Sequence, residues 1–322
     1  MKRLGCLLLM ALCLGLCSGC GSKVQVTVKV VDDNNQPVPD ARVTVMGLNT
    51  QREGRTDKDG LFPAKLRNVT GQLDLVVKRE GFYTIGWYSY YFVGQTNRQW
   101  QPWNPLVELQ LHRLGKPTPM VVKQVEEYLP ALNEPVGYDL LSGDWVRPYG
   151  KGLTNDFIFK AERRLVDDWT YSGALGLSFS HPTDGLIRVS LPSRDQYGLR
   201  LAAQAPLSAY SNVWAFTTRS SRNPSNGLRD DYASFGEDDN FYFRVRTQTN
   251  RSGEVIAGMY GKVYWGIRYA VGDTNVNVRA GKTNPMPWLH FLYYLNPDGT
   301  RNTEFDTRSN LCANPGDAGG RP

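Results

Sequence analysis

The stretch KVQVTVKVV, residues 23–31, places valines at positions 24, 26, 28 and 30, with polar residues between most of them. This alternation has a period of two, which is the period of a β-strand with one buried face. A turn-forming stretch, DDNNQPVPDA at residues 32–41, follows directly, and ARVTVMG at residues 41–47 alternates again. The stretch therefore predicts a sheet of short strands joined by tight turns.

The same pattern continues to about residue 114. The segments LFPAKL (residues 61–66), QLDLVVKREGFY (72–83) and NPLVELQLHRL (104–114) each have the composition of a short extended strand. Strands of this length, with turn signals every ten or so residues, are typical of an antiparallel sandwich of about ninety residues. The N-terminal part is predicted to fold as such a sandwich.

Three motifs occur in order along this region: PVPDARVTV (residues 37–45), TDKDGLF (56–62) and VKREGFY (77–83). Together they resemble the carboxypeptidase regulatory-like domain, an Ig-like or transthyretin-like β-sandwich, over residues 24–112. The resemblance implies an accessory module that is common on bacterial surface proteins and has no catalytic activity of its own.

The acidic stretch DKDG, residues 57–60, has two interpretations. Asp side chains bond nearby backbone amides and Gly60 accepts a positive φ, so the stretch favours a tight turn. An EF-hand calcium loop needs a third ligand position and a distal Glu, and this stretch has neither. We predict a turn here, and no metal or cofactor site anywhere in the chain.

Eight aromatic and β-branched runs fill the C-terminal part and are bounded by Gly, Pro, Asn and Asp. They lie at residues 155–164, 174–180, 185–192, 212–219, 240–248, 254–271, 275–281 and 287–299. So many strand signals in about 200 residues suit one larger β-sandwich or jelly-roll-like domain. The whole chain is therefore predicted to be all-β.

The predicted organisation has four parts. Residues 1–20 form a signal peptide, 21–115 the N-terminal sandwich, 116–135 a linker, and 136–322 the C-terminal β domain. Within the linker, Thr118 precedes a proline as a helix N-cap would. Val121, Val125, Tyr128 and Leu129 then recur at helical spacing. The linker is predicted to contain one short helix.

The N-terminus has the features of an export signal. Lys2 and Arg3 precede an apolar core at residues 4–16 that is too short to span a bilayer as a helix. The following LCSGC, residues 16–20, resembles the lipobox of bacterial lipoproteins, which implies lipidation of Cys20. Cys17 stands where that family prefers leucine, so ordinary cleavage near Gly19 and secretion is the alternative. We predict an exported protein held on a bacterial membrane by lipid, either periplasmic or at the cell surface.

Charge and cysteine content exclude several classes of function. The formal charge is +6, acidic and basic residues are interleaved, and no Lys/Arg block is present, so nucleic acid is not a predicted partner. After removal of residues 1–20 and lipidation of Cys20, Cys312 would be the remaining thiol, so no intramolecular disulfide could form. Stability must then come from burial of apolar surface.

Aromatic residues are concentrated in TIGWYSYYFVGQTNRQWQPW, residues 84–103. Trp87, Tyr88, Trp100 and Trp103 are candidate binding residues, because amphipathic rings can stack on sugars or anchor a protein partner. Alternation would place Trp87 and Tyr91 on one face of a strand and Tyr88 on the other. This alternation favours a strand covered on both faces and packed against the second domain, and the binding role is the other interpretation.

Two acidic clusters in the C-terminal part are candidate sugar sites: Asp167 and Asp168 beside Trp169, and Asp238 with Asp239. Carboxylates converging from separate strands would make the chain a carbohydrate-active enzyme. Solvated turns are the simpler interpretation of both clusters.

Motifs of common hydrolases are missing from the sequence. None of the three histidines is followed by Glu at the third place, so the catalytic motif of a zinc carboxypeptidase is absent. The stretch GLSFS, residues 176–180, lacks the second glycine of a nucleophile elbow. We therefore predict a non-catalytic envelope lipoprotein that acts in surface binding, adhesion or scaffolding, with a glycan or an envelope protein as partner.

Overall fold

The computed structural model describes residues 22–67, 70–166, 170–190, 199, 201–223, 225–236, 238–271 and 286–316. The signal segment with Cys20, and the predicted strand at residues 275–281, lie outside these ranges. Within them the regular structure consists of β-strands, and no helix occurs that is long and apolar enough to cross a membrane. The chain divides into two compact units, one ending at Arg113 and the other beginning at Leu114.

The described part of the first unit contains nine strands in two sheets. They are β1 (Lys23–Val31), β2 (Arg42–Gly47), β3 (Thr50–Arg55), β4 (Leu61–Arg67), β5 (Gln72–Lys78), β6 (Ile85–Tyr91), β7 (Gly94–Thr96), β8 (Gln99–Gln101) and β9 (Leu106–Gln110). One sheet has the order β4-β1-β8-β7, with β9 also paired to β1, and the other has the order β3-β2-β5-β6.

Alternating apolar residues build the core of the first unit. The valines of β1 at positions 24, 26, 28 and 30 are fully buried, and they pack with Val43 and Val45 of β2 and with Leu73, Leu75 and Val77 of β5. Residues of alternate parity on each strand face outward. This is the pattern that the sequence predicted for a sandwich.

The stretch at residues 57–60 forms a turn between β3 and β4. Asp57 Oδ1 accepts hydrogen bonds from the amides of Asp59 and Leu61, both at 2.9 Å, and Gly60 has φ +73°. A Cβ at Gly60 would also lie 2.5 Å from the carbonyl oxygen of Val30. The predicted turn is confirmed, and it uses Asp57 to satisfy backbone amides.

The described part of the second unit contains twelve strands. They are β10 (Thr118–Tyr128), β11 (Val136–Asp139), β12 (Asp144–Trp145), β13 (Phe157–Leu165), β14 (Tyr171–Ser178), β15 (Gly185–Ser190), β16 (Val213–Arg222), β17 (Arg229–Ala233), β18 (Asp239–Thr249), β19 (Val255–Ala270), β20 (Trp288–Asn296) and β21 (Phe305–Asn310). They form two sheets of six, with the orders β15-β18-β19-β20-β10-β21 and β12-β11-β13-β14-β16-β17.

The second unit has two apolar clusters. The larger one is rich in aromatic residues and contains Phe157 and Phe159 of β13 together with Phe241, Phe243 and Phe291 of the other sheet, so it fills the space between the sheets. The smaller cluster covers the opposite face of the β18–β19–β20 region and includes Tyr242, Tyr264 and Tyr294. The sheet that contains β19 is therefore covered on both faces.

The helix predicted in the linker is wrong, because residues 118–128 form strand β10. This strand pairs antiparallel with β20, from Val121 opposite Leu295 to Tyr128 opposite Trp288, and parallel with β21. The spacing of Val121 and Val125 fits a helix and a strand equally well. Val122 and Met120, on the other face, are also buried, and burial on both faces suits a central strand.

The predicted all-β class is confirmed in the described residues. The first unit is a sandwich, and the second is a larger sandwich of two six-stranded sheets.

Candidate functional site

Strand β6 carries exposed aromatic residues on its outward face. Trp87, Ser89 and Tyr91 occupy alternate positions and point away from the core. The exposed fractions of Trp87 and Tyr91 are 38% and 51%. Four residues of strand separate the two rings by roughly 13 Å along the backbone. The two rings could thus contact different units of one extended ligand, and Ser89 lies between the two rings.

The inward face of the same segment packs on the core of the first unit. Tyr88, Tyr90 and Trp100 are partly buried against that core. Tyr90 meets Phe92 edge to face at 5.1 Å between ring centroids, and the Phe92 and Trp100 centroids are 6.5 Å apart. Tyr88 and Trp100, although both were candidate binding residues, are thus packing residues of the first unit.

Trp103 lies in the segment between β8 and β9. Its exposed fraction is 38%, the same as that of Trp87, and its backbone amide donates a hydrogen bond of 3.1 Å to Gln101 Oε1. Of the four predicted aromatic candidates, the structure therefore leaves Trp87 and Trp103 exposed.

A polar network lies beside the exposed rings. Trp87 Nε1 donates to Ser89 Oγ at 3.2 Å, and Ser89 Oγ donates to Asp74 Oδ1 at 2.6 Å. Gln72 Nε2 donates to the same carboxylate oxygen at 2.9 Å. In the β5–β6 register, Asp74 is opposite Ser89 and Gln72 is opposite Tyr91. These bonds hold the indole and the carboxylate on one side of the sheet.

The outward face continues across β2 and β3. Met46 is opposite Asp74, and Thr44 is opposite both Val76 and Glu53. At the far side, Arg42 Nε and Glu53 Oε1 form an ion pair of 2.8 Å. The face thus combines two exposed rings at one edge with a row of polar groups. We call Trp87, Ser89, Tyr91, Asp74 and Gln72 the aromatic face.

Geometry of this kind suits recognition of polyhydroxylated ligands. Exposed rings offer large contact area with few torsions to restrict, and carboxylate and amide groups bond hydroxyls. Asp74 Oδ1 accepts the hydrogen bonds from Gln72 and Ser89, and the Asp74 side chain is half-buried beside the exposed rings.

The predicted acids at positions 238 and 239 have different environments. Asp238 is exposed, whereas Asp239 is 3% exposed and forms an ion pair of 2.6 Å with Arg188 Nε. Asp239 Oδ2 also accepts a hydrogen bond of 2.9 Å from the amide of Gly236. Asp239 therefore holds β15 and the start of β18 together and does not combine with Asp238 into a site.

Asp167, Asp168 and Trp169 lie outside the described residues. Within the described ranges, no group of three or more His, Cys, Asp or Glu side chains is arranged to hold a metal ion.

Sequence reasoning missed four residues of the aromatic face as site residues: Tyr91, Ser89, Asp74 and Gln72. The period of two in IGWYSYY does place Trp87, Ser89 and Tyr91 on one side. The pairing of β5 with β6, which brings Asp74 beside Ser89, depends on a register that includes an irregularity between Leu75 and Val77. No sequence signal specifies that register.

Neither a family model nor a curated protein matches this sequence. Solved structures with partial likeness include 3-chlorocatechol 1,2-dioxygenase from Rhodococcus opacus 1CP, at 13% identity and TM-score 0.23, over 29% of this chain and 61% of the enzyme. A DUF3823 family protein from Parabacteroides merdae has 9% identity and TM-score 0.19, over 89% and 100% of the two chains. BcpA, the major pilin subunit of Bacillus cereus, has 10% identity and TM-score 0.22, over 72% and 91%. Likeness at this level carries no information on activity.

Proposed function

We propose that this protein is an exported bacterial envelope lipoprotein that binds glycans, without catalysis, through the aromatic face of its first unit. The observation that carries the proposal is the exposure of Trp87 and Tyr91 on one side of β6, next to the Asp74–Ser89 hydrogen bond. Rings of this kind stack on the apolar C–H faces of sugars, and the carboxylate accepts hydrogen bonds from hydroxyls.

Binding without catalysis is supported by the environment of Asp239. Glycoside hydrolysis commonly uses two carboxyl groups roughly 5–9.5 Å apart, of which at least one must reach the substrate. Asp239 is buried, and its carboxylate forms an ion pair with Arg188 and accepts a hydrogen bond from the Gly236 amide. It is thus unsuited to act as the acid or base of such a pair.

We further propose that the first unit is an accessory module of the carboxypeptidase regulatory-like kind. The two-sheet sandwich over residues 23–110 supports this, as do the positions of the three motifs. PVPDARVTV leads into β2, TDKDGLF forms the turn before β4, and VKREGFY contains the end of β5. An accessory module would present a binding face and have no reactive centre of its own.

The anchor is proposed to be Cys20, and it can be tested by substitution. We expect cells grown with a radiolabelled fatty acid to label the unchanged chain, and Cys20→Ser to remove the label and release the protein from the membrane fraction. The physical reason is that several acyl chains together give stable anchoring. Without lipid, the apolar segment at residues 4–16 is too short to span a bilayer as a helix. Label retained in Cys20→Ser would contradict the proposed anchor.

The binding proposal predicts the effect of removing either exposed ring. We expect Trp87→Ala and Tyr91→Ala each to lower glycan affinity about tenfold, which corresponds to about 1.4 kcal/mol of stacking and contact energy. The measurement is retention of the purified full-length chain, in detergent micelles, on insoluble cellulose, chitin and peptidoglycan.

Tyr128→Ala provides a matched control, because Tyr128 is an exposed tyrosine on a strand of the second unit, with an exposed fraction of 57%. It should leave retention unchanged. Retention of Trp103→Ala shows whether the Trp103 ring, between β8 and β9, contributes to binding of the same ligand. If neither Trp87→Ala nor Tyr91→Ala alters retention on any of the three glycans, the aromatic face is not the binding site.

A further inference from the structure

The second unit has a concave site that is separate from the aromatic face. It lies over β13, β14, β16 and β17 and has a volume of about 600 Å³. Its lining includes Asn133, Glu162, Arg164, Ser172, Arg219 and Tyr232. We call it the sheet groove.

Strand register explains why these side chains lie together. Arg164 is opposite Ser172, Ser172 is opposite Arg219, and Arg219 is opposite Tyr232, so one row crosses four strands. The neighbouring row on the same face has Glu162 opposite Ala174 and Ala174 opposite Thr217. Residues opposite each other in a sheet share a face.

The central row presents positive charge. Arg164 and Arg219 are exposed, and within the described part of the chain neither forms an ion pair with a carboxylate. They lie two strands apart, roughly 10 Å, with Ser172 between them. Glu162 is an acid of the lining, and it is paired at 3.0 Å with Lys160. The groove is therefore complementary to an anion placed over Ser172.

An aromatic ring lies at one end of the row. The Arg219 guanidinium carbon is 5.0 Å from the centroid of the Tyr232 ring, and the exposed fraction of Tyr232 is 48%. This contact holds the guanidinium plane beside the groove, and a guanidinium can bind a carboxylate with two parallel hydrogen bonds.

Neutral hydrogen-bonding groups complete the lining. Ser172 and Thr217 contribute hydroxyls and Asn133 contributes an amide, while Ala174 occupies little space in the second row. The set of groups thus matches three features of one ligand: a carboxylate for the arginines, several hydroxyls for the neutral groups, and a ring face for Tyr232.

From this geometry we infer that the sheet groove binds an acidic glycan, a polymer of sugars that carry carboxylates. Arg164 and Arg219 pair with a carboxylate over Ser172, and the hydroxyls of adjacent sugar residues bond to Thr217, Asn133 and Glu162. The site is independent of the aromatic face, because it is formed entirely by strands and loops of the second unit.

The test compares three soluble polymers: polygalacturonate, uncharged galactan and polyphosphate. Binding of the purified full-length chain in detergent micelles is measured by biolayer interferometry near physiological ionic strength. We expect polygalacturonate to bind at least about tenfold more tightly than either of the others. Arg164→Gln and Arg219→Gln should each weaken its binding about tenfold, because each removes a charged hydrogen-bonding partner.

Ser172→Trp distinguishes a shaped site from general attraction of charge. It retains both arginines, suits a strand, and fills the groove at an exposed position, so it should abolish binding. Arg308→Gln removes one positive charge from a side chain that is 86% exposed elsewhere in the second unit, and it should have no effect. Trp87→Ala should also leave this binding intact, whatever its effect on neutral glycans.

Three outcomes would overturn the inference. The first is no binding of polygalacturonate. The second is equal binding of polygalacturonate and polyphosphate that survives in Ser172→Trp, which would indicate charge attraction over the whole surface. The third is a preference for polyphosphate that Ser172→Trp abolishes, which would assign the groove to phosphate instead of a sugar acid.

Discussion

Replacing Lys262 by methionine should stabilise the second unit by roughly 3–5 kcal/mol below pH 7. Lys262 is fully buried in β19, opposite Tyr242 on one side and Tyr294 on the other. Its Nζ has no hydrogen-bond partner among the described residues and lies 4.7 Å and 4.8 Å from the ring centroids of Tyr264 and Tyr294. Burial lowers the pKa of Lys262 from 10.5 to about 7, although the charge of Glu304 opposes this.

The pH dependence follows from that pKa. Below about pH 7 both the folded and the unfolded chain carry the proton, so the full penalty of burying the charge applies, about 5 kcal/mol. Between pH 7 and 10.5 the unfolded chain binds more protons, so the free energy of unfolding of the unchanged protein rises with pH. The advantage of Lys262→Met should therefore shrink across this range.

Urea unfolding at pH 6, 8 and 10 measures this difference. Methionine has similar length and no charge, and it adapts well to irregular apolar surroundings. Lys151→Met, at an exposed loop position, is the control and should change the free energy of unfolding by at most about 0.5 kcal/mol at every pH. A Lys262→Met variant that is less stable than the unchanged protein, or whose gain is the same at all three pH values, would refute the prediction.

Removing Arg246 should destabilise the second unit by about 3–5 kcal/mol. Its guanidinium donates to Asp139 Oδ1 at 2.7 Å and to the two oxygens of Asp156 at 2.8 Å each. Both acids are almost fully buried. Arg246 lies on β18, whereas Asp139 ends β11 and Asp156 directly precedes β13, so the cluster connects the two sheets.

Backbone amides also depend on these carboxylates. Asp139 Oδ2 accepts hydrogen bonds from Leu153 at 2.9 Å and Thr154 at 3.2 Å, and Asp156 Oδ2 accepts one from Leu140 at 2.9 Å. Burial opposes ionisation of Asp139, but hydrogen bonds from these and neighbouring amides and the charge of Arg246 lower its pKa. Burial raises the pKa of Asp156 despite Arg246. Arg246→Met would leave both charges buried without their cation.

Urea unfolding of Arg246→Met at pH 7 and at pH 4.5 tests this account. The decrease in the free energy of unfolding should be smaller at pH 4.5 than at pH 7. Without the cation the pKa of Asp156 rises further, so at pH 4.5 its carboxyl is protonated in the folded state and the buried charge is removed. Arg308→Met is the control, since the Arg308 side chain is 86% exposed and its ion pair with Asp306 should contribute little to the free energy of unfolding. A loss below 1 kcal/mol for Arg246→Met would show that the cluster does not hold the sheets together.

Local pattern predicted the elements well where one face of a strand is buried. The alternating valines of residues 23–31 became β1, and the predicted turn at Asp57 and Gly60 is present. The prediction was wrong at residues 118–128. Apolar residues occur on both sides of β10, and the spacing of these residues does not distinguish a helix from a central strand.

The candidate sites were predicted only in part. Trp87 and Trp103 are exposed as a binding role requires, whereas Tyr88 and Trp100 pack on the core. The row from Arg164 to Tyr232 could not be predicted, because its members are brought together by pairing between strands separated by up to about fifty residues of chain.

The alternation of apolar residues was enough to establish that this chain forms strands with one face buried. Apolar residues with a period of two lie on one side of a strand, so a sheet is the regular structure that buries them together. Whether an individual charged side chain is buried or exposed depends on tertiary structure. In VIAGMYGKVYWGIRYA, Lys262 stands at a position that alternation alone would leave toward solvent. Leu201 and Ala205, distant in sequence, belong to the apolar cluster on that face, and Lys262 is buried there. Burial of a charge depends on what the rest of the chain places over it, and no local pattern contains that information.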